Sequence, residues 1–208
     1  MNKIIKIIVV LFVLNCVQKL TAQEPAPAIQ QGIEYHNASR LENGKKSIEL
    51  VQKSLDTLKP LVETDSIACA YYGSALTVYA GFISETNPIK SLSYLEEGGK
   101  YLDKAVAMDK KNSDVHLIRL ENGIEVSRSS PVKRYSVIAD DVHYFIDEKN
   151  IEKLEGENKA ECLLYCAYFY CDSGDLDMAL DFCDQIIEQE SKTEAARLAA
   201  KMLAKYSE

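Results

Sequence analysis

No tryptophan occurs in this sequence, and histidine occurs only three times. His36, His116 and His143 are widely separated and none stands beside a cysteine pair at zinc-ligand spacing, which excludes a small zinc module. Gly-x-Ser-x-Gly, His-Glu-x-x-His and glycine-rich phosphate loops are all missing. The residues thus argue for no catalytic chemistry, and the expectation is a protein that is not an enzyme and holds no cofactor and no metal. Basic charge is also scarce: 24 Lys and Arg stand against 32 Asp and Glu, a net charge of −8, with no basic cluster interleaved with aromatics. An acidic surface repels phosphate backbones, so nucleic acid is excluded as a partner and basic partners are favoured. No stretch alternates at period two over a useful length, which excludes a sheet.

Long apolar runs are missing too, except at the start. Lys3 and Lys6 flank an apolar run from Ile4 to Leu14, followed by a polar stretch ending in Leu20-Thr21-Ala22-Gln23. This pattern predicts a secretory signal peptide over residues 1–22, cut after Ala22. The run is shorter than the ~20 apolar residues a bilayer span needs, so the mature chain is expected in the periplasm or secreted, with no transmembrane segment. A lipoprotein acylated at Cys16 is the lesser alternative, because Asn15 is bulky and polar where a small residue is required. Residues 1–22 hold three lysines and no acid, so their removal takes the net charge from −8 to −11. Residues 23–31, with Pro25 and Pro27, predict a flexible leader that packs on nothing, and residues 32–208 a single α-helical domain.

Within that domain apolar residues recur at helical spacing throughout, which predicts an all-α fold. Helices are expected over 29–42 and 45–59, separated by Asn43-Gly44 and closed by Pro60. A helix from Asp65 or Ser66 to about Ser84 is apolar nearly all round and belongs in the middle of the stack. Asn87-Pro88 starts the next, whose buried face contains Gly98-Gly99; such a pair needs compensation, most simply close contact with the preceding helix. Ser113 is expected to cap a helix running to about Ser130, and Pro131 to start its partner, which would bury Tyr135, Ile138, Ala139, Val142, Phe145 and Ile146. Asn158 with Glu161, and Ser191 with Glu194, have the form of capping boxes ahead of the last helices. The count is four antiparallel hairpins and a C-terminal capping helix.

The stretch from Asn158 to Glu190 has its own grammar. Leu163, Cys166, Ala167 and Tyr170 precede a turn at Gly174-Asp175, and Ala179, Cys183 and Ser191 follow it. These positions match the spacing of the tetratricopeptide repeat, a helical hairpin of ~34 residues, with Tyr170 and Ala179 matching by identity. The chain therefore resembles a secreted tetratricopeptide-like protein, and its Ala22-Gln23 junction is similar to those of secreted Bacteroidota proteins. The resemblance implies a short solenoid that binds another protein or peptide in a concave groove, lined by the first helix of each pair. Carried onto this chain it nominates Glu161, Leu164, Tyr168, Cys171 and Asp172 as the ligand-binding face, whose acid and tyrosine suit a basic or extended peptide.

Other constellations have plainer readings. Cys166 and Cys183 stand symmetrically about the Gly174-Asp175 turn. They read as small buried hydrophobes, with a disulfide as the alternative in an oxidising compartment. Asp140, His143 and Asp147 share one helical face but read as solvated. An alternative function is a small-ligand-binding accessory of an envelope transport system, with an apolar cavity between helices around Tyr72, Tyr79 and Phe82.

Overall fold

The computed structural model describes residues 26–190 and 192–206. Ten helices form there: α1 (Pro27–Leu41), α2 (Lys45–Leu58), α3 (Ser66–Ile83), α4 (Pro88–Met108), α5 (Ser113–Ser129), α6 (Tyr135–Ile146), the short α7 (Glu148–Ile151), α8 (Asn158–Ser173), α9 (Leu176–Glu190) and α10 (Glu194–Tyr206). A single 3-10 turn, Lys59–Leu61, follows α2, and no strand occurs among the described residues. The fold is all-α. The predicted signal peptide and Ser191 lie outside the described residues.

Most helix ends have a local cause. Asp65 Oδ1 accepts the Ala68 N–H at 2.8 Å and Asn87 Oδ1 that of Lys90 at 3.2 Å, with Pro88 presetting the first turn of α4. Gly174, at φ 85°, ends α8 in the left-handed conformation that a residue without a Cβ adopts without strain. Several expected signals act differently. Asn112, not Ser113, caps α5, accepting the N–H groups of Asp114 and Val115, while Ser113 Oγ donates to the Asn150 carbonyl at 2.7 Å. Pro131 does not open α6, because Ser127 Oγ captures the Arg134 N–H at 2.9 Å and holds the chain out of helix until Tyr135. Asn158 forms no capping box; its side chain reaches Asp114 instead, at 3.4 Å. Thr193 Oγ1 accepts the Ala196 N–H at 3.1 Å at the start of α10.

Residues 27–31, expected to lie in a loose leader, form the first turn of α1. Ile29 is buried there with Leu58 and Val62, so apolar spacing outweighs the local polarity. Ile146, expected in the core, is exposed.

Helices pair as α1 with α2, α3 with α4, α5 with α6 and α8 with α9, and α10 packs on both α8 and α9. The first members also touch in sequence, α1 on α3, α3 on α5 and α5 on α8. The core has two main sections. One groups α1 to α4 around Leu58, Tyr72 and Leu102, and the other groups α5 to α10 around Phe145, Leu163 and Ile186. α5 serves both, through Val115 on one side and Leu120 and Ile124 on the other. Full burial of a side chain such as Phe145 contributes about 1.5–3 kcal/mol.

The tightest helix contact explains half of the Gly98-Gly99 pair. A Cβ on Gly73 would stand 2.7 Å from the Gly98 carbonyl oxygen, and one on Gly98 2.6 Å from that of Gly73, so α3 and α4 meet backbone to backbone. Gly99 has a different neighbour: a Cβ there would strike the Arg134 guanidinium. α3 is itself long and apolar enough by composition to cross a membrane, which corrects the expectation that no run beyond the N-terminus would be. In the fold it lies among α1, α2, α4 and α5, with ten of its residues buried.

All five cysteines among the described residues are free thiols. Burial pushes Cys69 and Cys183 up to about 11, and Cys162 strongly upward, so these sulfurs remain protonated and behave as core atoms.

One charged cluster is centred on a fully buried carboxylate and runs out to the surface at Asp103. Asp141, 0% exposed, accepts a two-pronged bond from Arg119, Nε to Oδ2 and Nη2 to Oδ1, both at 2.8 Å. His116 Nδ1 lies 2.6 Å from the same Oδ1. Arg134 Nη2 donates to Asp103 Oδ1 at 2.5 Å, and Arg119 also reaches that oxygen at 3.4 Å. This cluster ties α4, α5 and α6 together. Asp140, His143 and Asp147, by contrast, are all exposed, and among the described residues no three His, Cys, Asp or Glu side chains come together as a metal site.

Candidate functional site

The sequential contact of α1, α3, α5 and α8 leaves a groove of about 720 Å³ along their shared face. Its apolar lining is Ile33 and Leu41 from α1, Ile67 from α3, and Leu117 and Ile118 from α5, with the Tyr71 and Tyr165 rings beside them. Carboxylates dominate the rest: Asp114 and Glu121 from α5, Glu161 from α8, and Glu157 just before it. Arg40, from the last turn of α1, is the one cation in this lining.

Arg40 reaches across to α5. Its Nη1 donates to Glu121 Oε1 at 2.5 Å and its Nη2 to Glu125 Oε1 at 2.8 Å, and Tyr165 Oη donates to the same Glu125 oxygen at 3.1 Å. Burial draws the Arg40 value down, but Glu121 and Glu125 outweigh it and hold the guanidinium well above its ordinary range. Burial pushes Glu125 upward despite Arg40. Glu161 is raised by burial and then by the Glu121 carboxylate, and its side chain makes no hydrogen bond or salt bridge among the described residues. Burial likewise raises Asp114, and moves Tyr71 up to about 12. The groove thus holds more negative charge than its arginine balances, on a partly desolvated apolar base.

One wall carries a polar relay that runs from the exposed Asn37 to buried His36 and Ser74. Asn37 Oδ1 lies 2.9 Å from His36 Nδ1, so that nitrogen bears the proton, and Nε2 accepts from the Ser74 hydroxyl at 2.9 Å. Burial lowers the His36 value, in keeping with the neutral ring. Ser74 lies mid-helix, where backbone N–H groups are taken up by the ladder of α3, so α3 offers no oxyanion donors beside the hydroxyl.

Of the residues expected on the binding face, Glu161 lines this groove and Leu164 does not. Leu164 is 5% exposed and belongs to the α5–α10 core. The open stripe of α8 runs through Glu157, Glu161, Tyr165, Tyr168 and Asp172, whereas Leu164 falls on the side covered by neighbouring helices. Tyr168 and Asp172 continue the stripe but are already engaged. Arg128 from α5 donates to both Asp172 oxygens at 2.7 Å and lies over the Tyr168 ring at 4.1 Å, and Tyr135 Oη adds a bond to Asp172 at 3.1 Å. Tyr168 and Cys171 line a separate cleft of about 240 Å³, with Lys201 and Lys205 of α10.

Sequence reasoning missed Tyr165, Arg40, Glu121 and Glu125. Tyr165 was accessible from helical phase, four residues on from Glu161. The other three meet only because α1 and α5 are neighbours of α3, with Arg40 standing 81 and 85 residues from its partners.

No protein-family model matches this chain, and no curated protein matches it.

Proposed function

We propose that this is a non-enzymatic, tetratricopeptide-like binding protein of the periplasm or cell exterior, which holds an extended segment of another protein in the α1–α3–α5–α8 groove. The observation that carries the reading is that one groove is lined by the first member of all four hairpins. That is the surface the repeat resemblance nominates. The excess carboxylate charge over an aliphatic base suits a basic partner, because desolvated carboxylates attract cations more strongly than solvated ones. The repeat-like order of helix contacts, and the spacing of Leu163, Cys166, Ala167, Tyr170 and Ala179, support the family assignment. The N-terminal Lys and apolar pattern supports export.

The test is a photo-crosslinking residue at Ile118, on the groove floor, expressed in the native envelope. A discrete covalent adduct to one protein is expected, and it should be absent when the same residue replaces Glu96 on α4. Equal labelling from both positions, or none from Ile118, overturns the reading.

A second reading, a small-ligand accessory of a transport system, is favoured by the groove volume, which falls within the range of small-molecule sites. Tyr72 and Tyr79 are packed edge-on against Tyr101 and Tyr94, at 4.7 and 5.4 Å between ring centres, so on this reading the ligand would occupy the groove and not a cavity between those rings. Native mass spectrometry with a retained small molecule would favour it over the first.

A further inference from the structure

We propose that Arg40 is a built-in competitor, an internal guanidinium that occupies the Glu121–Glu125 seat in the free protein and yields it to an arginine side chain of the bound peptide. The proposal rests on the groove being the peptide site, and it deepens that reading by naming the anchor chemistry and the group it displaces.

The seat already shows which cation it accepts. A planar guanidinium spans two carboxylates on successive turns of α5, one nitrogen to each, at 2.5 and 2.8 Å. A compact ammonium does not present two nitrogens at that separation. The seat is also unsaturated. Arg40 uses only Oε1 of Glu121 and Oε1 of Glu125, Tyr165 binds that same Glu125 oxygen, and both Oε2 atoms carry no bond among the described residues. Glu161, unpaired, stands beside them in the groove. A second guanidinium therefore finds free acceptors before Arg40 leaves, which permits stepwise exchange.

Release of Arg40 costs less than breaking a closed, buried pair, because solvent reaches all three side chains. Its side chain is 36% exposed, and those of Glu121 and Glu125 are 21% and 44% exposed. Pairs open to solvent on this scale stabilise a fold by about 1 kcal/mol, the upper end of the range for surface pairs, because Glu121 is partly covered. Arg40 lies at the end of α1, next to Leu41, which is 86% exposed, so no packed side chain must move with it. An incoming arginine brings something that Arg40 does not: a peptide backbone and neighbouring side chains that cover the half-buried Ile67 and Ile118. Exchange of one guanidinium for another leaves the seat's electrostatics unchanged and adds that burial.

The experiment measures fluorescence anisotropy with labelled hexa-arginine and, for comparison, hexa-lysine. It uses the wild-type protein, Arg40→Ala, Arg40→Gln, Glu121→Gln/Glu125→Gln and the off-groove control Glu96→Gln, each first checked for an unchanged thermal melt. Arg40→Ala and Arg40→Gln should each bind hexa-arginine about fivefold more tightly than wild type, the factor expected when a competitor of this strength is removed. Hexa-lysine should gain less. Glu121→Gln/Glu125→Gln should lose about tenfold or more, and Glu96→Gln should bind as wild type does. Arg40→Gln retains the length of the side chain and stands in if Arg40→Ala unfolds. Unchanged or weaker hexa-arginine binding by both Arg40 variants overturns the competitor role, and leaves the groove reading standing if the Glu121→Gln/Glu125→Gln loss persists. No binding by any protein, or equal loss with Glu96→Gln, overturns the guanidinium seat and the basic-peptide reading together.

Discussion

Two arginine–carboxylate clusters lie on either side of α5, built from the same groups and put to different use. In the inner one Asp141 is 0% exposed, both its oxygens are taken by Arg119, and His116 closes the remaining side. In the outer one Arg40 is split between two carboxylates, each keeps an unused oxygen, and solvent reaches all three side chains. Removing one partner of a closed buried pair strands a charge where no water can reach it, whereas removing one partner of an open pair leaves the other to be solvated. A saturated, buried cluster is architecture. An unsaturated, exposed one on a groove is a place where partners can be exchanged.

The largest effect expected from this contrast is at Asp141. Asp141→Ala should destabilise the protein by about 3–5 kcal/mol in urea denaturation, because Arg119 and His116 lose their shared partner. A loss below about 1 kcal/mol would place the inner cluster in the same class as the outer one.

The next separates core from groove within α8, where adjacent residues are assigned opposite roles. Leu164→Ala should cost about 2–5 kcal/mol, the range for a buried leucine truncation, with hexa-arginine affinity per folded molecule unchanged. Tyr165→Ala should reverse that pattern, weakening hexa-arginine severalfold and costing less stability, since its hydroxyl orients Glu125 at the groove edge. Equal destabilisation by both would show that the phase of α8 has been misassigned.

The smallest effect concerns Glu161. Its folded value lies above the ordinary 4.5 because burial and Glu121 disfavour the carboxylate. A group raised in the fold contributes its stability fully below the ordinary value, and that contribution is lost as pH rises through the folded one. Glu161→Gln should therefore equal or slightly exceed wild type in thermal stability at pH 7, with the difference vanishing near pH 4. Binding of hexa-arginine should run the other way, falling as pH drops through the raised range of Glu161, Glu125 and Asp114, because protonated carboxylates no longer attract a cation. A flat pH profile of binding from 4 to 7 would contradict the charged groove.

The nine longer helices, most of their boundaries and their pairing were legible because each rests on local signals: apolar spacing, Asn87-Pro88, and Gly174 at a turn; the four-residue α7 was not counted. The errors arose where a nearby side chain outbid the local signal, as Ser127 does at Arg134 and Asn112 does ahead of Ser113. Glu161 was legible as a groove residue because the exposed face of a helix follows from its neighbours in sequence. Leu164 was misplaced because a binding face drawn too wide runs into the buried side one residue away. The two ion clusters were not legible at all. His116 and Arg119 find Asp141 through the α5–α6 hairpin, 25 and 22 residues on, while Arg40 finds α5 across a third helix. Asp141 also adjoins Asp140, and only packing decides which of the two is buried.

On the proposed reading, the face shared by α1, α3, α5 and α8 is the recognition surface. Isoleucine residues stand both on that surface and away from it, so methyl-labelled isoleucine spectra recorded during a hexa-arginine titration test the claim most directly. Shifts are expected for the Ile33, Ile67 and Ile118 methyls, which line the groove, with none for Ile138 and Ile186 in the core or for the exposed Ile89 and Ile146. Saturable shifts centred on Ile89 or Ile146, with the three groove methyls unmoved, would contradict it.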